Sequence, residues 1–217
     1  MIDTGLNMSS FDLNCRRCDR LAKFLDDVKD EHPDYFAKPV PAFGAKKAQL
    51  LIVGLAPGMH GANRTGRPFT GDHAGILLYQ TLHKYGFASK PESLSADDKL
   101  KLINCRITNA VKCLPPQNKP TGPEINTCNL FLAEELKSLK SGSVILALGS
   151  IAHNAVLKAL GLKLSTFKFG HDSAHALENK CILLDSYHCS RYNTQTKRLT
   201  EEMFCDVFAH AQKLLKK

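Results

Sequence analysis

The segment Asn63-Arg64-Thr65-Gly66-Arg67-Pro68-Phe69-Thr70-Gly71-Asp72 carries an amide, guanidinium groups, an aromatic ring and a carboxylate in a stretch too rich in Gly and Pro to read as anything but irregular. It follows Gly54-Leu55-Ala56-Pro57-Gly58, which closes the apolar run Leu50-Leu51-Ile52-Val53. Asn109 and His188 likewise stand at or just past the ends of apolar runs. Each residue alone has a plainer explanation: Phe69 a core aromatic, Asp72 a turn residue or helix cap, Asn109 a turn former, His188 a structural histidine. Four of them at strand ends or in the opening loop shift the balance towards a site. His60, His73, His83, His153, His171, His175 and His210 have no such placement and read as surface or core histidines.

A second group is made of cysteines. Cys15-x-x-Cys18 is followed far downstream by Cys113 and Cys128. A C-x-x-C pair presents two thiolates to one centre from a single turn, and a distant second pair completes a tetrahedral set. Four thiolates suit zinc or a [4Fe–4S] cluster, and spacing does not choose between them. Cys105, Cys181, Cys189 and Cys205 fit no ligand spacing; Cys105 and Cys181 lie in apolar runs and read as small core residues.

These side chains need elements to position them. Short apolar runs at Gln49–Leu55, Asn104–Val111, Ser143–Leu148 and Cys181–Ser186 read as strands buried on both faces. Helical patterns cover Ala74–Tyr85, Pro123–Leu139, Ile151–Leu160 and Glu201–Leu215. Thr121-Gly122-Pro123-Glu124 fits a capping box, and Ile125, Cys128, Leu132, Leu136 and Leu139 then share one face, turning Cys128 inward. Thr200 precedes Glu201 and Glu202, which suit the positive end of the last helix. The alternation predicts a three-layer α/β/α fold with a central, mostly parallel sheet. In such a sheet ligands bind beyond the carboxyl ends of the strands, where the loop after Gly54 begins. Residues 1–48 read as an N-terminal extension with helical pieces around Cys15 and Cys18, interrupted by Pro33, Pro39 and Pro41; Lys163–Ala176 reads as a loop.

At 217 residues and 43% hydrophobic content the chain suits one domain spanning 1–217. Twenty-nine basic against 21 acidic residues give a formal charge of +8, which favours a polyanionic partner. No run approaches the ~20 apolar residues of a membrane helix, and Met1-Ile2-Asp3-Thr4-Gly5 lacks the character of a signal peptide. The expectation is a cytoplasmic monomer whose eight cysteines form no disulfide framework, with a metal or cluster on some of them as the natural alternative. Neither G-x-x-x-x-G-K-[ST] nor G-x-G-x-x-G occurs, which weakens a nucleotide-binding reading of the glycines.

The Gly54–Asp72 loop, Thr108-Asn109-Ala110-Val111-Lys112-Cys113, Ser186-Tyr187-His188-Cys189-Ser190-Arg191-Tyr192-Asn193-Thr194 and the four-cysteine pattern together resemble the type-5 (b-type) iron–sulfur uracil-DNA glycosylases. The resemblance runs from about Cys15 to about Leu199. It implies a monofunctional DNA glycosylase that hydrolyses the N-glycosidic bond of uracil, and of other deaminated bases such as hypoxanthine, to start base excision repair. It also implies a [4Fe–4S] cluster on Cys15, Cys18, Cys113 and Cys128, which would tie down the N-terminal extension.

By the same resemblance Phe69 stacks on the base, Asn109 reads its edge, His188 donates to the departing base, and Asp72 orients or activates water. Gly54, Leu55, Gly58 and Asn63 join the substrate-binding set, with Arg191 as a phosphate partner on the loop that enters the minor groove. Two departures stand out. Type-4 relatives carry Glu where this chain has Leu55, and Leu cannot activate water, so the carboxylate role passes to Asp72. Cys189 replaces the proline usual after the histidine, which predicts a less rigid loop. The competing expectation is a cysteine-ligated nucleic-acid-binding module without catalysis; an iron–sulfur electron carrier would have no use for the Gly54–Asp72 loop.

Overall fold

The structure, a computed structural model, describes residues 11–216; the first ten residues of the N-terminal extension and Lys217 lie outside the described residues. In chain order the elements are α1 (Asp19–Glu31), β1 (Phe43–Gly44), β2 (Leu50–Gly54), α2 (Ala62–Thr65), α3 (His73–Lys84), β3 (Cys105–Asn109), α4 (Gly122–Lys137), β4 (Val144–Leu148), α5 (Ser150–Ala159), β5 (Ala174–Ala176), β6 (Ile182–Ser186), α6 (Arg191–Gln195) and α7 (Glu201–Leu215).

The strands form one sheet in the order β1-β3-β2-β4-β6-β5. The four inner strands are parallel and both edge strands run antiparallel to their neighbours. Successive side chains on a strand point to opposite faces, and that alternation builds two cores. Leu50 and Ile52 face Leu78, Tyr79 and Leu82 of α3 and Phe204, Val207 and Phe208 of α7. Leu51 and Val53 face Leu132 and Leu136 of α4 and Ala155, Val156 and Leu157 of α5. The expected three-layer α/β/α arrangement is therefore present.

A third apolar cluster brings Leu21, Leu25 and Val28 of α1 against Val111, Leu114 and Phe131, with Cys113 and Cys128 in its midst. The N-terminal segment thus packs beside the cysteines.

The chain leaves β2 for β3 on one side of it and leaves β4 for β6 on the other. Connections that diverge in this way open a crevice at the carboxyl ends of the strands. The capping box is formed: Thr121 Oγ1 accepts from Glu124 N and the Glu124 carboxylate accepts from Thr121 N.

Four pieces depart from the sequence expectation. The supposedly irregular loop contains one helical turn, α2, closed by Gly66 at φ +76, a left-handed conformation that glycine adopts without strain. The loop after His188 contains α6, capped by Ser190 and burying none of its residues, so it has no amphipathic pattern to reveal it. Strands β1 and β5 are edge pieces of two and three residues without fully buried positions.

Candidate active site

The loop from Gly54 to Asp72 is built by backbone contacts that demand small residues. The carbonyl oxygens of Gly54 and Leu55 accept from Ala110 N and Val111 N, both at 2.9 Å, extending the pairing past the end of β3. That brings Asn109 over Gly54. A Cβ on Gly54 would collide with Asn109 Oδ1 and would lie 2.7 Å from Phe69 Cζ. Only glycine leaves room for both side chains here. Phe69 is 6% exposed and has φ +54, an unusual backbone conformation for a bulky residue.

Asn109 is 3% exposed, and its Oδ1 has no hydrogen-bond partner. Buried polar atoms are nearly always paired, so an orphaned amide oxygen that shares the space over Gly54 with the Phe69 ring points to a donor supplied by a ligand. Asn63 is fully buried with neither Oδ1 nor Nδ2 partnered.

Asp72 is the N-cap of α3, where Oδ1 accepts from Gly75 N at 2.8 Å. Its Oδ2 is turned towards the glycine backbone: a Cβ on Gly61 would lie 2.5 Å from it, and one on Gly58 3.7 Å. Burial raises the Asp72 pKa, against the hydrogen bonds from the α3 backbone that lower it. One helix cap thus binds a carboxylate through one oxygen and leaves the other beside the loop.

His188 follows β6, and its ring centroid lies 6.0 Å from that of Phe69 with 30° between the planes. Burial pushes its pKa down to about 4, so the imidazole is neutral at physiological pH. Its carbonyl oxygen accepts from Asn193 Nδ2 at 2.8 Å. The neighbouring Cys189 is fully buried. The loop without proline is therefore held by a side-chain bond from α6 and by the Ser190 cap, an anchoring that the residue types alone did not reveal. Beside the histidine runs a groove of about 210 Å³ lined in part by Leu55, Leu148, Tyr187, His188 and Arg198. The Arg198 guanidinium lies 4.8 Å from the centroid of the Tyr187 ring. Arg191 opens α6 and is exposed.

Cys15, Cys18, Cys113 and Cys128 line one small cavity with Leu21, Pro39 and Phe131. Burial raises the pKa of Cys18 and Cys113 and pushes that of Cys128 up to about 11, with the neighbouring thiols adding to the effect. Lys112 N donates to Cys128 Sγ at 3.2 Å. Cys18, Cys113 and Cys128, which resist ionisation, share this cavity with Cys15, and together they form a donor set suited to a cationic centre. Among the described residues the group of three ligand atoms within 4.8 Å of one another is His153, His175 and Asp185, not any three of these sulfurs.

That histidine group is satisfied internally. His153 Nδ1 lies 2.8 Å from Asp185 Oδ1 and Nε2 lies 3.1 Å from Phe167 O. It latches the 163–172 segment to β6, a buried structural use for two histidines that the sequence left without a role. Cys105 and Cys181 are buried in the core as expected.

The geometry therefore gathers Gly54, Phe69, Asp72, Asn109 and His188 at the carboxyl ends of the inner strands and gathers the four cysteines elsewhere. Residues 41–212 match the sequence profile of the uracil DNA glycosylase superfamily. The chain belongs to the uracil DNA glycosylase superfamily. Among its relatives in that superfamily, the type-5 uracil-DNA glycosylase of Thermus thermophilus is 47% identical over 205 residues, covering 92% of this chain and 93% of the relative. The type-5 uracil-DNA glycosylase of Pyrobaculum aerophilum is 41% identical over 203 residues, covering 92% and 88%. The type-4 uracil-DNA glycosylase of Archaeoglobus fulgidus is 31% identical over 180 residues, covering 81% and 76%. Among the described residues no helix is long and apolar enough to cross a membrane.

Proposed function

We propose that the chain is a type-5 uracil-DNA glycosylase that hydrolyses the bond between uracil and deoxyribose in DNA. The observation that carries this reading is the orphaned Oδ1 of Asn109, buried against Phe69 in space that only Gly54 leaves open. A flipped pyrimidine would stack on Phe69 and donate its ring N–H to that oxygen. Water, oriented by Asp72 Oδ2, forms its bond to C1′ as the C1′–N1 bond breaks. The bonding pair leaves with the base, and the water proton passes to Asp72 or to solvent. Neutral His188 keeps an N–H to donate to the carbonyl oxygen where charge develops on the departing base, without a buried charge of its own. Asn63 belongs to the same loop and joins the substrate-binding set with Gly58 and Leu55.

The cysteine cavity supports a resident [4Fe–4S] cluster on Cys15, Cys18, Cys113 and Cys128. Four thiols lining one cavity suit zinc or a cluster, and the resemblance to the type-5 enzymes favours the cluster. When bound it ties the N-terminal segment to α4; the chemistry at the base belongs to Asp72, Asn109 and His188. Arg191 and the net charge of +8 favour phosphate contacts with a DNA substrate. The reading includes other deaminated bases such as hypoxanthine, a monomer, a single domain and a cytoplasmic setting. A binding module without catalysis would need neither the Asp72 carboxylate beside Gly61 nor a neutral His188.

The test is abasic-site formation on a duplex carrying one uracil, followed on hypoxanthine. Asn109→Ala should slow excision and blunt discrimination between bases; unchanged discrimination would contradict its reading role.

A further inference from the structure

Phe69 occupies a backbone conformation that a phenylalanine keeps only where its surroundings hold it, at φ +54. Two supports come from α3. Tyr79 Oη donates to Pro68 O at 2.8 Å. The carbonyl oxygen of Phe69 also lies so close to Gly75 that a Cβ there would collide with it.

The other support is a buried arginine outside the reacting groups. Arg67 is 4% exposed, and its Nε donates to Thr70 Oγ1 at 3.0 Å. The two residues that flank Pro68-Phe69 are thus joined to each other across the strained residue. Thr70 Oγ1 is itself shared with Ser93 Oγ at 2.7 Å and Pro68 O at 3.2 Å. The far end of the guanidinium is gripped as well: Nη2 donates to Asp98 Oδ2 at 2.6 Å and to Ser95 O, and Phe43 lies under it at 4.8 Å from its ring centroid.

Asp98 in turn accepts from Leu94 N and Leu100 N, each at 2.9 Å, so the Ser93–Asp98 segment is folded around the arginine. Desolvation works against the Asp98 charge, but Arg67 and those backbone donors together hold its pKa at about 2. Asp98 is therefore ionised at neutral pH, paired with the Arg67 guanidinium.

We propose that Arg67, locked by Asp98, is a positioning residue that sets the Phe69 ring beneath the extruded base. The inference rests on the glycosylase reading of the site. A role confined to stability would lower the melting temperature and leave excision by the folded protein alone, or lower it equally whether or not the ring is present. A positioning role acts only through the ring.

The experiment is a double-mutant cycle on single-turnover uracil excision, with Arg67→Met, Phe69→Ala and the double variant assayed below their melting temperatures. Arg67→Met should slow excision roughly tenfold to a hundredfold, the size expected of a misplaced reacting group. In the Phe69→Ala background the same change should cost less than about twofold, because no ring remains to be placed. Equal losses in both backgrounds would overturn the proposal, as would an Arg67→Met enzyme with wild-type rates. Asp98→Asn and Arg67→Lys run the same cycle if Arg67→Met does not fold, with Arg67→Lys expected to keep part of the wild-type rate. A wild-type protein that excises no uracil would overturn the glycosylase reading and this inference with it. Excision by wild type with an additive cycle would remove the inference alone.

Discussion

The carboxylate of Asp72 lies so close to Gly61 that a Cβ at that position would sit 2.5 Å from Oδ2 and 2.6 Å from the Asp72 Cβ. The second distance matters most, because a side-chain rotation cannot move Cβ out of the way. Gly61→Ala must therefore shift the α3 cap or the loop. It should reduce excision by about 10²-fold, the cost of a displacement near 1 Å. Gly58→Ala, whose Cβ would meet Oδ2 at an ordinary 3.7 Å, should cost less. Single-turnover rates of the two variants check the order; a milder Gly61→Ala would contradict this view of the carboxylate.

Asp72→Asn should separate chemistry from stability. Asn is as good an N-cap as Asp, so the hydrogen bond from Gly75 survives. Excision should fall about 10²–10³-fold, while affinity for uracil-containing DNA is nearly kept. Burial raises the folded pKa of Asp72 above its ordinary 3.8, so the fold favours the protonated form. The ionised carboxylate therefore destabilises the protein at neutral pH. The variant should melt higher than wild type at pH 7, with the gain fading as pH falls through the folded pKa towards 3.8. Melting curves across that range check the sign; a lower melting temperature at pH 7 would contradict it.

His188 gives a different pH dependence. Its folded pKa of about 4 lies below the ordinary 6.5, so the unfolded chain takes up the proton first. Stability contributed by the neutral ring is complete above pH 6.5 and is lost as pH falls towards 4. The excision rate should show no inflection near 6.5 attributable to this histidine. His188→Gln should flatten the stability profile between those values. A rate inflection at 6.5 that disappears in His188→Gln would mean that the ring is solvated.

The inner strands were legible as short apolar runs and the long helices as apolar stripes, with Thr121 and Thr200 marking the starts of two of them. Their observed bounds lie within two residues of the expected ones, and those of α7 coincide with them. The pieces that escaped are stabilised by contacts with no sequence period: β5 pairs along an edge, and α2 is a single turn closed by Gly66. Within the candidate site, Asn109 and His188 stood out at strand ends and Phe69 and Asp72 in the opening loop, while their proposed roles came from the family resemblance. The need for glycine at 61, the Asn193 bond to His188 and the Arg67–Asp98 pair were not, because each depends on a close approach between separate segments.

The cysteines make a prediction independent of activity. Anaerobically purified protein should be brown and contain iron, and Cys15→Ser, Cys18→Ser, Cys113→Ser and Cys128→Ser should each lose or destabilise the chromophore. Cys105 is fully buried in β3, and Cys105→Ala should leave the colour intact. Absorbance and metal analysis decide the matter; one zinc and no iron per chain would contradict the cluster.

The most direct measurement is single-turnover abasic-site formation on a duplex with one uracil, comparing wild type with Asp72→Asn. The account predicts strand cleavage at the uracil position after alkali for wild type, no cleavage before alkali, and a rate at least about 10²-fold lower for the variant. Tight binding of the duplex by wild type with no abasic site formed, or equal rates for the two proteins, would contradict it.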